Sequence, residues 1–315
     1  MLNGSNEVSA EDMRSARQKV FDPMEDNVAE TLISSLSATI RNLSPDLSGP
    51  GAAFLENVAG TIHTVSLLYN TLFGNLLMER YGQFQQERCK EAEARLQRTL
   101  TEKEKIKIRE SALSDLDSLD NVELVKKWTL RRVNLIWDQS IIAPTGPQVL
   151  KQGVVLLWSA FEVLCNDLLI AAGDTRSNLR SRIEASEYLN QKRGITKSDS
   201  CSPQLWPQGK DNISLRSLDS ISKAYQELFP DVGTSVVLNK SIFTWFADRQ
   251  LSVLEQRRHL IVHRAGVKDK AYREQSGDTG GIKDILEVSP SDFLSYTKTV
   301  IDIGTKILEA VNAES

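Results

Sequence analysis

A run of basic residues and histidines, Arg257-Arg258-His259-Leu260-Ile261-Val262-His263-Arg264, lies near the C-terminus of the chain. Two of the three histidines of the protein occur in this run, four residues apart. A guanidinium binds phosphate through a planar fork of donors, and an imidazole both accepts and donates a proton near neutral pH. These are the residue types that cleavage of a phosphodiester by acid–base chemistry requires.

The run is expected to end a helix that extends from Asn239 to Arg264, because Ala265-Gly266 is typical of a helix C-terminus. The negative end of the helix dipole favours a protonated imidazole at His263, which suits a general acid. Arg258 is expected to stabilise the charge of a phosphate in its transition state. His259 is expected to hydrogen-bond the substrate or to share the proton transfer.

Arg257 has a different predicted environment from its neighbour Arg258. At about 100° per residue, a helical wheel places Arg257 within the apolar face of the helix. Its partner there is expected to be a buried acid such as Glu162 or Asp167. The apolar face comprises Ile242, Phe243, Phe246, Val253, Leu254, Leu260 and Ile261.

Two other interpretations of the run remain open. His259 and His263 have the spacing of two zinc ligands on a helix, but a catalytic zinc needs at least a third protein ligand and a closed site needs two more. No glutamate follows the first histidine, as it does in the zinc-protease helix. Alternatively, the run is a solvated helix end with ordinary surface arginines.

The composition is that of a soluble protein. Among 315 residues, 40% are hydrophobic and the formal net charge is −4, so no overall basic field favours nucleic acid. Three cysteines without close spacing argue against a disulfide framework and favour a cytoplasmic location. Cys165 is expected to be a small core residue rather than a nucleophile. Polar residues interrupt the apolar windows 52–78 and 153–171, so we expect no transmembrane helix.

Helical periodicity dominates the chain, and alternating strand patterns are almost absent. The sequence therefore predicts an all-α fold, with a helical bundle in the C-terminal half and an N-terminal helical region that contains a long helix. The proline- and glycine-rich cluster 44–51 predicts a loop, and 52–112 predicts one long helix with a charged second half. A coiled-coil arm is the alternative for that charged half, but its apolar heptads are not sustained. Other predicted helices span 10–43, 121–140, 149–172, 215–229 and 291–312.

The run of basic residues and histidines resembles the signature of the HEPN ribonuclease superfamily. In that family an arginine and a polar residue precede an apolar triplet and a histidine, and Arg258, His259 and His263 match these positions. The tail Gly266-Val267-x-Asp269-x-x-Tyr272 is similar to the sequence that follows the motif in defence-associated members. The apolar segment 154–164 resembles the first long helix of such domains.

This resemblance covers about residues 125–312 and implies a function. Family members are typically metal-independent endoribonucleases of toxin–antitoxin, CRISPR and phage-defence systems, in which the 2′-hydroxyl of the RNA attacks the adjacent phosphate. They dimerise, with the two motif helices facing each other across a cleft. The implied site needs no metal and no cofactor, and Arg264, Lys268 and Lys270 are candidate contacts to RNA phosphates.

The expected organisation is an N-terminal helical region over 1–120, with a regulatory, sensor or assembly role, and a HEPN-like domain over 121–315. The expected partners are RNA (tRNA or mRNA), a second copy of the chain, and a regulatory, antitoxin or sensor protein. No membrane partner is expected. The alternative function is a non-catalytic scaffold or an RNA- or nucleotide-binding subunit of a defence assembly, since some family members have lost catalysis.

Overall fold

The computed structural model describes residues 28–116, 145–192, 215–229, 236–278 and 280–314. About 84% of these residues are helical and none of them lies in a strand. An isolated antiparallel bridge joins Val267 and Ile285. The all-α prediction is therefore confirmed for the described part of the chain.

The helices that the structure describes are numbered in chain order. They are α1 (Val28–Arg41), α2 (Pro45–Leu96), α3 (Glu102–Leu116), α4 (Thr145–Thr175), α5 (Ser177–Ala185), α6 (Glu187–Lys192), α7 (Leu218–Leu228), α8 (Val236–Phe246), α9 (Arg249–Arg264), α10 (Lys270–Ser276) and α11 (Pro290–Ala313). The helix predicted over 121–140 lies outside the described residues.

The loop predicted over 44–51 is wrong, because residues 45–51 form the start of α2. Pro45 is the first residue of the helix, where its missing N–H would have no intrahelical partner. The carbonyl of Ser44 accepts hydrogen bonds from the backbone N–H groups of Leu47 and Ser48. A proline- and glycine-rich cluster therefore begins this helix instead of interrupting the chain.

The single long helix predicted over 52–112 is also wrong, because the chain leaves the helix after Leu96. Gln97 adopts a left-handed conformation with φ of 52°, which ends α2. Thr101 then caps α3: its hydroxyl accepts the Glu104 N–H, and the Glu104 carboxylate accepts the Thr101 N–H at 2.9 Å. This reciprocal arrangement is a capping box, and it fixes a new helix start within the charged stretch.

The chain divides into two compact units. The described residues of the first are 65–116 and 145–148, and those of the second are 28–64, 149–192, 215–229, 236–278 and 280–314. The second unit holds the motif helix, together with α1 and the first part of α2. The boundary expected at 120 lies outside the described residues, so it stays a prediction. Residues 28–64 nevertheless pack with the C-terminal helices rather than apart from them.

Helix α4 provides much of the core of the second unit. Leu157, Trp158, Phe161 and Leu168 on this helix are completely buried. By length and composition alone α4 is apolar enough to cross a membrane, and half of its most apolar window is buried inside the protein. The core helix of a soluble bundle has the same properties, so a soluble protein is compatible with this finding.

A buried polar cluster joins both ends of the second unit. The side chain of Arg176 is 6% exposed and pairs with Asp46 at 3.3 Å. The same guanidinium donates to the Ser44 hydroxyl at 2.8 Å and to the Asn312 carbonyl at 3.2 Å. Arg176 thereby connects the start of α2 with the end of α11.

Gly304 of α11 packs closely against Phe54 of α2 and Leu164 of α4. A Cβ atom at Gly304 would lie 2.7 Å from the Phe54 ring and 3.1 Å from Leu164. We expect Gly304→Ala to lower the free energy of unfolding by about 1–3 kcal/mol, because the buried ring has no space to move into. Gly60→Ala is the matched control, since nothing lies within 4 Å of its Cβ. Chemical denaturation should show that Gly60→Ala raises the free energy of unfolding by about 0.5–1 kcal/mol, because alanine is favoured over glycine at an exposed helical position. Equal effects of the two substitutions would contradict the close packing at Gly304.

Candidate functional site

The motif helix is α9, and it is shorter than the sequence predicts. The expected continuous helix from Asn239 to Arg264 is wrong, because α8 ends at Phe246 and Asp248 caps the start of α9. Its carboxylate accepts the backbone N–H groups of Gln250 at 2.8 Å and Leu251 at 3.1 Å. The predicted apolar face therefore does not continue unchanged across the break, and its residue Phe243 is 60% exposed. Five residues of that face are buried: Ile242, Phe246, Val253, Leu254 and Leu260.

The predicted C-terminal end of the motif helix is confirmed. Ala265 and Gly266 have left-handed φ values of 50° and 77°. The Gly266 N–H donates to the Leu260 carbonyl at 2.8 Å, which closes the last turn. His263 therefore lies in the final turn of α9, as the sequence indicates.

The two motif histidines lie side by side on the solvent face of α9. Both side chains are exposed, and their ring centroids are 4.9 Å apart with a tilt of 49°. The spacing of four residues places both rings on one face of the helix. One bound group can therefore reach both imidazoles, which is the arrangement that a paired acid and base require.

Arg257 is a structural residue, but its predicted partners Glu162 and Asp167 are wrong. Its guanidinium pairs with Asp292 at 2.9 Å and donates to the Tyr272 hydroxyl at 3.1 Å. It also lies 5.4 Å from the centroid of the Tyr296 ring. The side chain is 12% exposed, so Arg257 is engaged by α10 and α11 beneath the motif.

The electrostatics of this cluster favour charged Arg257 and Asp292. Burial by itself raises the pKa of Asp292, but Arg257 and the hydrogen bonds from Ser289 hold that pKa below its ordinary value. Burial raises the pKa of Tyr296, although the nearby Arg257 opposes the shift. Asp292 also caps α11, since its carboxylate accepts the Ser289 N–H at 3.1 Å. The cluster therefore fixes α9 against the start of α11.

Arg258 lies near Glu162, one of the two acids predicted to pair with Arg257, and near Glu255. Burial raises the pKa of Glu162 and of Glu255, and the positive charge of Arg258 opposes both shifts. The Nε atom of Arg258 is buried and has no hydrogen-bond partner within the described part of the chain. In contrast with Arg257, whose guanidinium is held by Asp292 and Tyr272, Arg258 is therefore less firmly held by the described residues.

A pocket of about 380 Å³ opens beside Arg258. Its walls include Trp158 of α4, Arg216 before α7, Glu255, Arg258 and His259 of α9, and Gln275 of α10. Glu255 was missed as a site residue, although its position three residues before Arg258 indicates a shared helix face. Arg216 and Gln275 carry no signal in the sequence, because the tertiary fold alone brings them to the pocket.

The predicted phosphate contacts each pair with a nearby carboxylate. Arg264 lies 3.4 Å from Asp269, and Lys270 lies 3.7 Å from Glu274. Both cations are exposed, and such surface pairs are weak. Their charges therefore remain accessible to a phosphate.

Lys268 differs from the other two predicted phosphate contacts. Its side chain is 12% exposed and pairs with Asp278 at 2.9 Å. The Asp278 carboxylate also accepts the Gly280 N–H at 2.7 Å. Lys268 therefore holds the loop after α10, and this role competes with a contact to RNA.

The remaining alternatives for the site concern metal and thiol chemistry. Among the described residues, no group of three or more histidine, cysteine, aspartate or glutamate side chains is placed to hold a metal ion. Cys165 is completely buried, and burial raises the pKa of its thiol well above the ordinary value. A thiol in such an environment is a poor nucleophile, in agreement with its expected place in the core.

Comparisons of the chain with models of protein families, with curated proteins and with solved structures find no match. The resemblance to the HEPN superfamily therefore rests on the motif residues alone and stays a prediction.

Proposed function

We propose that this protein is an endoribonuclease of the HEPN type that cleaves RNA without a metal ion. The observation that carries the proposal is the pair of exposed imidazoles of His259 and His263, 4.9 Å apart, at the end of the helix that also bears Arg258. Two groups that transfer protons and one that holds a phosphate are the parts that such a reaction needs.

The proposed reaction forms one phosphorus–oxygen bond and breaks another, so it needs no co-reactant. The 2′-hydroxyl oxygen of a ribose attacks the adjacent phosphorus while the bond from phosphorus to the 5′-oxygen breaks. A base takes the proton of the 2′-hydroxyl, and His263 gives a proton to the leaving 5′-oxygen. His259 shares the proton transfer, and Arg258 stabilises the extra charge on the phosphate. The products are a 2′,3′-cyclic phosphate and a 5′-hydroxyl.

A homodimer would complete the site. On α9, Arg258 and His263 diverge by about 140° around the helix axis. Arg258 borders the pocket, whereas His263 is not among the residues that line it. A second copy related by a two-fold axis, with both motif helices near that axis, would supply the missing group to each phosphate. Val262, next to His263 and 48% exposed, offers apolar surface for this contact.

The biological role that fits this activity is the toxic effector of a prokaryotic antiviral-defence or toxin–antitoxin system. The proposed substrate is tRNA or mRNA in the cytoplasm. A nuclease of this kind requires restraint, so we include a regulatory, antitoxin or sensor protein as a partner. Residues 1–120 are the proposed regulatory or assembly region.

A non-catalytic scaffold is the second candidate function. The pairing of the largely buried Lys268 with Asp278 favours it, because this pair reduces the positive charge available to RNA. The attraction of Arg258 to Glu162 and Glu255 acts in the same direction. A scaffold would keep these pairs in its functional state and would show no dependence on the histidines.

Incubation of the purified protein with total tRNA in EDTA tests the proposed function. We expect fragments that end in a 2′,3′-cyclic phosphate and begin with a 5′-hydroxyl, since no metal takes part. Treatment of the fragments with a kinase that requires a 5′-hydroxyl identifies these ends. Intact tRNA after incubation with the protein and its co-purified partners, or cleavage that EDTA abolishes, would contradict the proposal.

A further inference from the structure

The pocket beside Arg258 combines hydrogen-bond donors with an acceptor. Arg258, Arg216 and Gln275 present N–H groups, whereas Glu255 presents a carboxylate. A phosphate inside the pocket would be repelled by Glu255. A neutral group that carries both N–H donors and acceptor atoms can hydrogen-bond to the carboxylate and to the N–H groups of the pocket.

Glu255 is only partly engaged by the protein. Among the described residues its Oε1 atom accepts the Leu218 N–H at 2.8 Å, at the start of α7. A carboxylate has about four acceptor positions over its two oxygens, so this single bond leaves the other oxygen and a second position on Oε1 for a ligand. Arg258 also lines the pocket, so its guanidinium is placed to donate to a ligand there. Each residue therefore offers a complementary contact.

We propose that this pocket binds a guanine base of the RNA substrate, next to the phosphate that is cleaved. Guanine carries adjacent N1–H and N2–H donors that match the two oxygens of a carboxylate. Its O6 and N7 acceptors match an arginine or an amide donor. Adenine has a single exocyclic donor group and fits a carboxylate less well. The volume of about 380 Å³ is within the range of small-ligand pockets.

The location links the base pocket to the proposed chemistry. His259 borders the pocket and also lies 4.9 Å from His263, outside it. A nucleotide with its base against Glu255 would therefore place its phosphate near both histidines. This inference rests on the proposed function and adds its specificity: cleavage occurs beside guanine.

Binding of RNA that cannot be cleaved separates the two proposals. Tetranucleotides with 2′-O-methyl riboses lack the attacking hydroxyl, so their affinity does not depend on catalysis. We expect the full-length protein to bind a guanine-containing tetranucleotide about tenfold more tightly than the inosine or adenine versions, because each good base contact discriminates by about this factor or more. Inosine lacks the N2 amine and so isolates the contact to Glu255.

Glu255→Gln is the diagnostic variant. Its amide oxygen still accepts the Leu218 N–H, so α7 stays capped, but the new NH₂ group opposes the N–H groups of guanine. We expect the preference for guanine over inosine to disappear while the melting temperature stays unchanged. Equal binding of all wild-type tetranucleotides, or a preference that persists in the variant, would overturn the base pocket.

Two further measurements, binding of a free nucleotide and cleavage of RNA, distinguish the possible ligands and test the two proposals separately. If free guanosine 5′-triphosphate binds tightly and RNA does not, the pocket serves a nucleotide effector and the inference about the substrate is wrong. If RNA is cleaved without any preference for guanine neighbours, the proposed function stands and the base pocket fails. If guanine-dependent binding occurs without cleavage, the base pocket stands and the nuclease fails.

Discussion

Replacement of His263 by alanine is expected to lower the rate of RNA cleavage in EDTA by about 10²–10⁴-fold, which is the usual contribution of a general acid or base. His263 is exposed on the last turn of α9 and is not among the residues that line the neighbouring pocket. Its removal therefore takes away an imidazole without opening the core. The measurement is the initial rate of tRNA cleavage together with the melting temperature of each variant.

The matched control for this variant is Val262→Ala, one residue away and also exposed. This substitution shortens a side chain of the same turn that cannot transfer a proton. If the protein is active as a monomer, the variant should therefore keep the wild-type cleavage rate. In the proposed dimer it should weaken association at most, and the loss should disappear at higher protein concentration. A His263→Ala protein that cleaves like the wild type would remove this residue from the mechanism.

Mixing inactive subunits tests whether the site is shared. A mixture of Arg258→Ala and His263→Ala chains forms some mixed dimers, and in these one site can regain a complete set of groups. We expect the mixture to recover a measurable part of the wild-type rate, although each variant alone is inactive. A mixture as inactive as its components, together with a monomeric protein in light scattering, would contradict the composite site.

Local signals in the sequence predict a helix end well where a capping residue determines that end. Ser289 caps α11 at Pro290, one residue before the predicted range 291–312, and Ala265-Gly266 ends α9 as expected. Both features act within a few residues. The same kind of signal was missed at Asp248 and at Thr101, where a charged or polar residue lies inside a long helical pattern. The helical periodicity of the sequence continues across such positions, although the hydrogen bonds of the cap start a new helix there.

Tertiary partners were less predictable than helices. The wheel placed Arg257 on a buried face, and the side chain is indeed largely buried, but the partner Asp292 comes from a helix that begins 33 residues later. Glu162 was expected to pair with Arg257 and instead faces Arg258. A periodic pattern identifies a face of a helix, but it does not identify which of several acids the fold brings there.

The pocket shows the same limit at the level of function. Arg258 and His259 belong to the motif, yet Arg216 and Gln275 come from elements that have no recognisable pattern of their own. Glu255 lies on the motif helix and could have been included, since a residue three positions before an arginine shares its face. The sequence thus identifies the residues of the motif, whereas the set of residues that surrounds them in the pocket depends on packing.

The adjacent arginines should separate stability from activity. We expect Arg257→Gln to lower the free energy of unfolding by about 1–3 kcal/mol, less than for a completely buried pair because Asp292 is partly exposed to solvent. Arg258→Gln should change stability by less than about 0.5 kcal/mol, since the buried Nε of Arg258 has no hydrogen-bond partner among the described residues and no such bond is lost. The same Arg258→Gln change should lower cleavage by about 10²–10³-fold, the usual effect of losing a donor to a transition-state oxyanion.

The dependence on pH provides an independent check of the Arg257 cluster. Because the pKa of Asp292 is lower in the folded protein than its ordinary value of 3.8, its contribution to stability is present above that pH and disappears as the pH falls through the folded pKa. The difference in stability between wild type and Arg257→Gln should therefore be largest near neutral pH and should shrink below about pH 4. Denaturant titrations at pH 7 and pH 3 measure this difference. A stable, inactive Arg257 variant beside a destabilised, active Arg258 variant would reverse the two assignments.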